Sequence, residues 1–139
     1  MREKLQKLLN NSYAKYSNYR VSCVIKMHDG KEISGVNVEN ASYGATICAE
    51  RNAITTAITE GYNKDDFLEL HVMVDSDKIG TPCFVCRQVI SEFFDKKCKV
   101  ILYSNNEEKE YTVEELCPYP FNEDNLWKVA WLVLSDDLM

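Results

Sequence analysis

Apolar residues recur along the first half of the chain with two spacings, and these predict a helix followed by paired strands. The leucines near the N-terminus lie at helical spacing and predict a helix within residues 3–14. The segment RVSCVIKM alternates apolar and polar residues, as strands do, and EISGVNV continues as a second strand. Asp29-Gly30 between them is typical of a hairpin turn. We therefore expect an antiparallel pair of strands after the first helix.

The second half of the chain continues the alternation of helices and strands. Its pattern predicts a helix over residues 48–60, with Gly61 as a C-terminal stop. The segments LELHVMV (68–74) and KVILYS (99–104) are short, apolar and rich in strand-forming residues. EYTV, a little further on, predicts a shorter fifth strand.

Two later segments carry residues typical of helix starts. Thr81 followed by Pro82 suits an N-cap and a first helical position, so we expect the next helix to begin there. Thr112 and Glu115 have the spacing of a capping box, which predicts a further helix start.

Helices interleave with strands in this order, which predicts a mixed sheet covered by helices on both faces. We see no repeat, linker or low-complexity segment, so we expect a single domain over residues 1–139. The C-terminal segment NLWKVAWLVL is apolar on most sides of a helix, which indicates burial in the chain's own core or against another subunit.

Composition narrows the class of protein. Apolar residues make up 45% of the 139, enough for a packed core. The net charge of −6 and the lack of a Lys/Arg cluster argue against nucleic acid and favour a small-molecule substrate. Neither a signal-peptide stretch nor a membrane-spanning apolar run is visible, so we expect a cytoplasmic protein without membrane contact.

Three of the six cysteines have a spacing that suits a metal. Cys83-x-x-Cys86 at a helix start fits zinc or dithiol redox chemistry. A redox pair has no need of Cys48, whereas a catalytic zinc takes three protein ligands and leaves a fourth position for water. The pattern therefore favours zinc. The other three cysteines are interpreted as ordinary structural residues.

A carboxylate and an arginine follow the first of these cysteines. Glu50 lies in the same helical turn as Cys48, so it can reach the open zinc position without being a ligand and carry a proton there. Three thiolates leave the site with excess negative charge, which two helix N-termini and a cation offset. Arg51 is the better candidate for that cation, with Arg87 as the alternative.

Together, NVENASYGATICAERNAI and PCFVCRQVI resemble the small homotetrameric zinc-dependent cytidine deaminases, and the resemblance runs over residues 13–125. It implies a three-layer α/β/α fold with a mixed five-stranded sheet. It also implies one zinc ion per subunit, a homotetramer, and hydrolytic deamination of cytidine and deoxycytidine to the uridines in pyrimidine salvage.

The same resemblance assigns roles in the reaction. It implies that Cys48, Cys83 and Cys86 hold zinc, and that Glu50 moves protons from water to the base and to the departing ammonia. Arg51 is implied to soften the charge of the thiolates.

Further roles concern the substrate. Asn37 and Glu39 are implied to bind the ribose hydroxyls, which suits two side chains on one side of a strand. The backbone of Ala49 is implied to contact the pyrimidine edge, and Tyr19 to pack on the base. The remaining two positions are Gln88, implied to support the site, and Phe121, implied to reach a neighbouring subunit's active site.

The sequence departs from the family pattern near the pocket. Phe84 stands where glycine is usual, and a ring there either narrows the pocket or packs against a partner. Two alternatives to cytidine deamination therefore stay open. One is a deaminase of a cytosine-nucleoside antibiotic such as blasticidin S, although Asn37 and Arg51 favour cytidine. The other is a non-catalytic zinc-stabilised protein that binds nucleosides or a partner.

Overall fold

The computed structural model describes residues 1–126. The helices and strands follow one another as α1 (Arg2–Leu9), β1 (Val21–Met27), β2 (Glu32–Val36), α2 (Ala49–Thr59), β3 (Phe67–Val74), α3 (Phe84–Phe93), β4 (Lys99–Tyr103), β5 (Glu108–Thr112) and α4 (Val113–Leu116). Short 3₁₀ turns precede α2 and β3.

The five strands form one mixed sheet in the order β2-β1-β3-β4-β5. Neighbouring strands run antiparallel except β3 and β4, which are parallel and joined through α3. A crossover helix is the ordinary way to join parallel neighbours, because it returns the chain to the end of the sheet at which both strands begin. The predicted five-stranded mixed sheet is confirmed.

Alternate residues of the central strands point into two separate cores. Val24 and Met73 pack with leucines of α1 on one face. Cys23, Leu70 and Val72 pack with α2 and α3 on the other. This alternation follows from the two-residue period of a strand. The result is the predicted α/β/α arrangement of three layers.

One predicted helix start is wrong. Thr81 and Pro82 do not begin α3; Cys83 is its N-cap, and its sulfur accepts a hydrogen bond from the backbone N–H of Cys86. Thr81 instead accepts a hydrogen bond from the guanidinium of Arg87. A thiol therefore takes the place of the expected hydroxyl at the start of this helix.

Other local predictions are confirmed. The chain takes positive φ at Gly30 and at Gly61, as the hairpin turn and the helix stop require. Thr112 and Glu115 form the predicted capping box at the start of α4.

Within residues 1–126 no helix is long and apolar enough to cross a membrane. The C-terminal helix predicted in NLWKVAWLVL falls largely on residues 127–139, outside the described residues.

Helix α2 lies unusually close to strand β2, because small residues face each other where they meet. A Cβ added to Gly35 would lie 2.5 Å from the carbonyl oxygen of Ala49 and 2.7 Å from the backbone nitrogen of Ala53. Both atoms belong to the helix backbone and cannot rotate away. This contact fixes the N-terminal turn of α2 over the sheet.

We therefore expect Gly35→Ala to destabilise the fold by about 1–3 kcal/mol, the usual cost of overpacking. Thermal unfolding measures the loss as a lower Tm. Gly44→Ala is the matched control, since a Cβ there meets no atom within 4 Å. Equal Tm values for the two variants would contradict the close packing of α2 on β2.

Candidate active site and metal centre

Two helix N-termini meet at the carboxyl end of β3. Cys48 is the N-cap of α2, and Cys83 is the N-cap of α3. Val72 and Val74, near the end of β3, line the same cavity as these two cysteines. Crevices at the carboxyl ends of strands are common ligand sites in α/β proteins, and helix N-termini favour negative charge.

Three thiols converge at this point. The sulfur atoms of Cys48, Cys83 and Cys86 all lie within 4.8 Å of one another, and those of Cys48 and Cys83 are 4.0 Å apart. Tetrahedral zinc with Zn–S bonds of about 2.3 Å separates sulfurs by about 3.8 Å, so a small contraction fits the ion. Within residues 1–126 no His, Asp or Glu joins the group as a fourth ligand. The donor set therefore fits zinc with one open position.

The charge of these thiols is offset by one arginine rather than two. The Arg51 guanidinium donates to the Cys48 sulfur at 3.5 Å and lies 3.5 Å from the carbonyl oxygen of Thr46. Arg87 instead donates to the carbonyl oxygens of Pro82 and Leu116. Of the two cations considered from the sequence, Arg51 is the one that contacts sulfur.

Hydrogen bonding makes one of the three thiols acidic. A hydrogen bond from Cys86 is the largest cause that lowers the pKa of Cys48 to about 5, and Arg51 adds to it. The same contact raises the pKa of the buried Cys86, since its proton is shared with the Cys48 thiolate. Cys48 is thus a thiolate at neutral pH, the form that binds metal.

Glu50 is a buried carboxylate beside the thiols. It is 4% exposed, although it lies in the first turn of α2. Burial raises the pKa of Glu50 to about 7, and the negative charge of Cys48 adds to the rise. Such a carboxyl can both take and return a proton at neutral pH. Carboxylates are seldom buried without a specific reason, which marks Glu50 as a functional candidate.

A cavity of about 260 Å³ opens beside the three thiols and Glu50. The predicted site residues Tyr19, Asn37, Glu39 and Ala49 line it together with Cys48, Glu50 and Cys83. A hollow of about 640 Å³ lies at the other end of the sheet, around the start of β3, and has none of these residues. The smaller cavity is the one that joins the candidate chemistry.

Asn37 is held by hydrogen bonds inside the chain. Its Oδ1 accepts from the Ser12 hydroxyl and from the backbone N–H of Val21 at 3.0 Å, and its Nδ2 donates to the Tyr19 carbonyl at 2.7 Å. Both acceptor positions are therefore used, which leaves one N–H of the amide for a ligand.

Glu39 is also oriented by the chain. Its Oε1 accepts from the backbone N–H groups of Tyr16 and Ser17, and its Oε2 accepts from the Ser17 hydroxyl. The hydrogen bond from the Ser17 hydroxyl is the largest cause that lowers the pKa of Glu39. An ionised carboxylate with about four acceptor positions retains room for a hydroxyl donor.

Phe121, by contrast, does not line this cavity, and its side chain is exposed. Gln88 donates to the Phe121 carbonyl at 2.7 Å, so it connects α3 to that segment rather than to the thiols. Phe84 is 78% exposed, with the Arg87 guanidinium 4.5 Å from its ring centre. The ring lies outside the cavity lining, so it does not narrow the pocket within one chain.

Sequence reasoning missed the residues that hold the predicted binding side chains in place. Ser12 and Ser17 orient Asn37 and Glu39, and Gly80 lies against Tyr19. Serines in loops carry no spacing that distinguishes them from solvated positions. Only the fold brings the loop before β1 beside the segment that follows β2.

Comparison with known proteins agrees with this geometry. The family model for the cytidine and deoxycytidylate deaminase zinc-binding region matches residues 1–102. A cytidine deaminase of Halalkalibacterium halodurans is 39% identical over 116 residues, which are 83% of this chain and 86% of that protein. A Blasticidin-S deaminase of Bacillus cereus is 29% identical over 114 residues, covering 78% and 81%.

A solved structure resembles the whole architecture. The crystal structure of cytidine deaminase from Burkholderia pseudomallei has a TM-score of 0.82 at 34% identity, covering 86% of this chain and 94% of that one. The fold and the three-thiol centre thus define a zinc-dependent nucleoside or nucleotide deaminase. The chain belongs to the cytidine and deoxycytidylate deaminase family, and the expected zinc cofactor agrees with the zinc-binding region of that family and with the cysteine cluster.

Proposed function

We propose that this chain hydrolyses cytidine and deoxycytidine to the corresponding uridines and ammonia, as an enzyme of pyrimidine salvage. The observation that carries the proposal is the buried Glu50 carboxylate beside three convergent thiols, at a cavity whose other end holds oriented hydrogen-bonding side chains. The relatives named cytidine deaminase add support. The net charge of −6 favours a small nucleoside over nucleic acid.

In this proposal Cys48, Cys83 and Cys86 hold zinc and leave one position open. Zinc bound there would lower the pKa of a water ligand and so supply the nucleophile for C4 of the base. Arg51 reduces the negative charge at Cys48 through its hydrogen bond to the sulfur. The positive ends of the two helix dipoles also stabilise the thiolates.

Glu50 moves the protons of the reaction. Its carboxylate takes one proton from the attacking water and gives it to N3 of the pyrimidine, which makes C4 more electrophilic. It then passes the second proton of that water to the amino group, which leaves as ammonia while the C4 carbonyl of the uridine forms. Burial keeps bulk water from competing for these protons.

The substrate is positioned by the opposite end of the cavity. Glu39 accepts hydrogen bonds from ribose hydroxyls, and Asn37 donates its remaining N–H to one of them. The Ala49 backbone contacts the pyrimidine edge, and the Tyr19 ring packs on the base. These assignments rest on the resemblance and on the cavity lining.

A second candidate is deamination of blasticidin S, favoured by the likeness to the Bacillus cereus enzyme of that name. It uses the same zinc and Glu50 chemistry and differs in the sugar part of the substrate. A purely zinc-stabilised binding protein is less consistent with a carboxylate buried beside the metal ligands, since that burial costs stability.

Glu50→Gln should lower kcat for cytidine by at least about 100-fold, the usual contribution of a general acid–base group. Its zinc content should stay near one ion per chain, whereas Cys83→Ser should lose both zinc and turnover. Elemental analysis and loss of cytidine absorbance measure the two effects. Glu92→Gln, an exposed carboxylate on α3, is the control. Turnover of Glu50→Gln within tenfold of wild type would refute the proton-transfer role.

We further propose a homotetramer in which Phe121 reaches a neighbouring subunit's pocket. Phe84, Val85, Tyr119 and Phe121 are exposed, and the Gln88 hydrogen bond links the segment of the last two to α3. Exposed apolar groups of this kind are typical of subunit interfaces.

Light scattering should give about four times the 16.0 kDa chain mass. Phe121→Ala should reduce cytidine turnover, whereas Tyr43→Ala, an exposed aromatic in the turn before α2, should not. A monomer with full activity would contradict this assembly.

We also propose a cytoplasmic location. Six free cysteines support it, since a reducing compartment keeps thiols unpaired, and cell fractionation tests it.

A further inference from the structure

Gly80 and Tyr19 share one wall of the cavity beside Glu50. A Cβ placed on Gly80 would overlap the Tyr19 hydroxyl and would lie 3.2 Å from Cγ1 of Val74. The hydroxyl end of the ring therefore occupies a notch between the Gly80 backbone and the Val74 side chain. A side chain at position 80 would take the same space.

Backbone conformation does not explain the glycine at this position. Within the described residues, the glycines with positive φ are Gly30 and Gly61, and Gly80 is not among them. An L-residue can therefore adopt the backbone of Gly80 without strain. The close approach of the Tyr19 hydroxyl is the reason that a side chain does not fit there.

The other end of Tyr19 is fixed by residues of the same cavity. Its carbonyl accepts from Asn37 Nδ2 at 2.7 Å, and its N–H donates to the Ser17 hydroxyl at 3.0 Å. Its hydroxyl makes no hydrogen bond with any residue of the described part of the chain. Packing against Gly80 and Val74 is therefore what sets the position of the ring's far end.

We propose that Gly80 is a positioning residue that determines where the Tyr19 ring stands and hence which pyrimidine nucleosides the cavity accepts. This inference rests on the proposed function. With a cavity of only about 260 Å³, a displaced ring changes the space for the base. Because the nearest atom to the added Cβ is the end of a side chain, the ring can move while the fold stays intact.

The test is a double-mutant cycle with Gly80→Ala, Tyr19→Phe and the combined variant. Gly80→Ala should raise KM for cytidine about tenfold, as overpacking displaces the ring. Its Tm and zinc content should match those of wild type. Tyr19→Phe removes the overlapping hydroxyl, so the combined variant should recover most of the lost affinity. Gly44→Ala is the control for a glycine-to-alanine change in open space.

A merely structural role for Gly80 would lower Tm, and Tyr19→Phe would not restore KM. Either that result or an unchanged KM in Gly80→Ala would overturn the inference.

Uridine binding by calorimetry separates this inference from the proposed function. If wild type binds uridine without converting cytidine, the proposed reaction fails. The double-mutant cycle then compares the Kd of each variant for uridine in place of KM. If wild type neither converts cytidine nor binds uridine, both proposals are overturned.

Discussion

The meeting of two helix N-termini at the carboxyl end of β3 is the constraint on which the site depends. Cys48 is the N-cap residue of α2, and Cys83 and Cys86 lie at the start of α3. Their sulfurs converge only because α2 lies close over Gly35 and α3 crosses between the parallel strands β3 and β4. A shift of either helix by a fraction of a turn would separate the thiols beyond the reach of one zinc ion.

The same arrangement shifts the pKa values of Cys48 and Glu50, at the start of α2, in opposite directions. Hydrogen bonds from Cys86 and from Arg51 lower the pKa of Cys48 at the start of α2, so this metal ligand is favoured in its ionised form. Glu50 lies on the same first turn of α2 but is buried, and burial pushes its carboxyl towards the neutral state. One helix start thus supplies a ligand that is readily ionised and a carboxyl that exchanges protons near pH 7.

Much of this architecture could be predicted from the sequence, since periodicity is a local property. Alternation in RVSCVIKM and the glycine after Asp29 were sufficient for the first hairpin. The start of α3 was predicted wrongly because Thr81 and Pro82 are good capping residues, yet Cys83 takes the N-cap position. Capping propensity is weak compared with the packing that fixes a helix end in space.

Some residues of the candidate site could be predicted from the sequence, and others could not. Cys48, Glu50 and Cys83-x-x-Cys86 could be recognised because ligand spacing on helix starts is written in the sequence. Ser17 and Gly80 could not, since their importance comes from contacts with Glu39 and Tyr19 across the fold. The departure at Phe84 lies outside the cavity lining, so the ring does not narrow the pocket of one chain.

Action of the zinc centre and its cavity on cytidine and deoxycytidine is tested by a substrate panel followed by ultraviolet absorbance. The panel compares cytidine, deoxycytidine, cytosine and blasticidin S at equal enzyme concentration. We expect rapid conversion of the two nucleosides and little conversion of free cytosine, which lacks the ribose that Glu39 and Asn37 would bind. Rapid conversion of blasticidin S with the two nucleosides unchanged would contradict it.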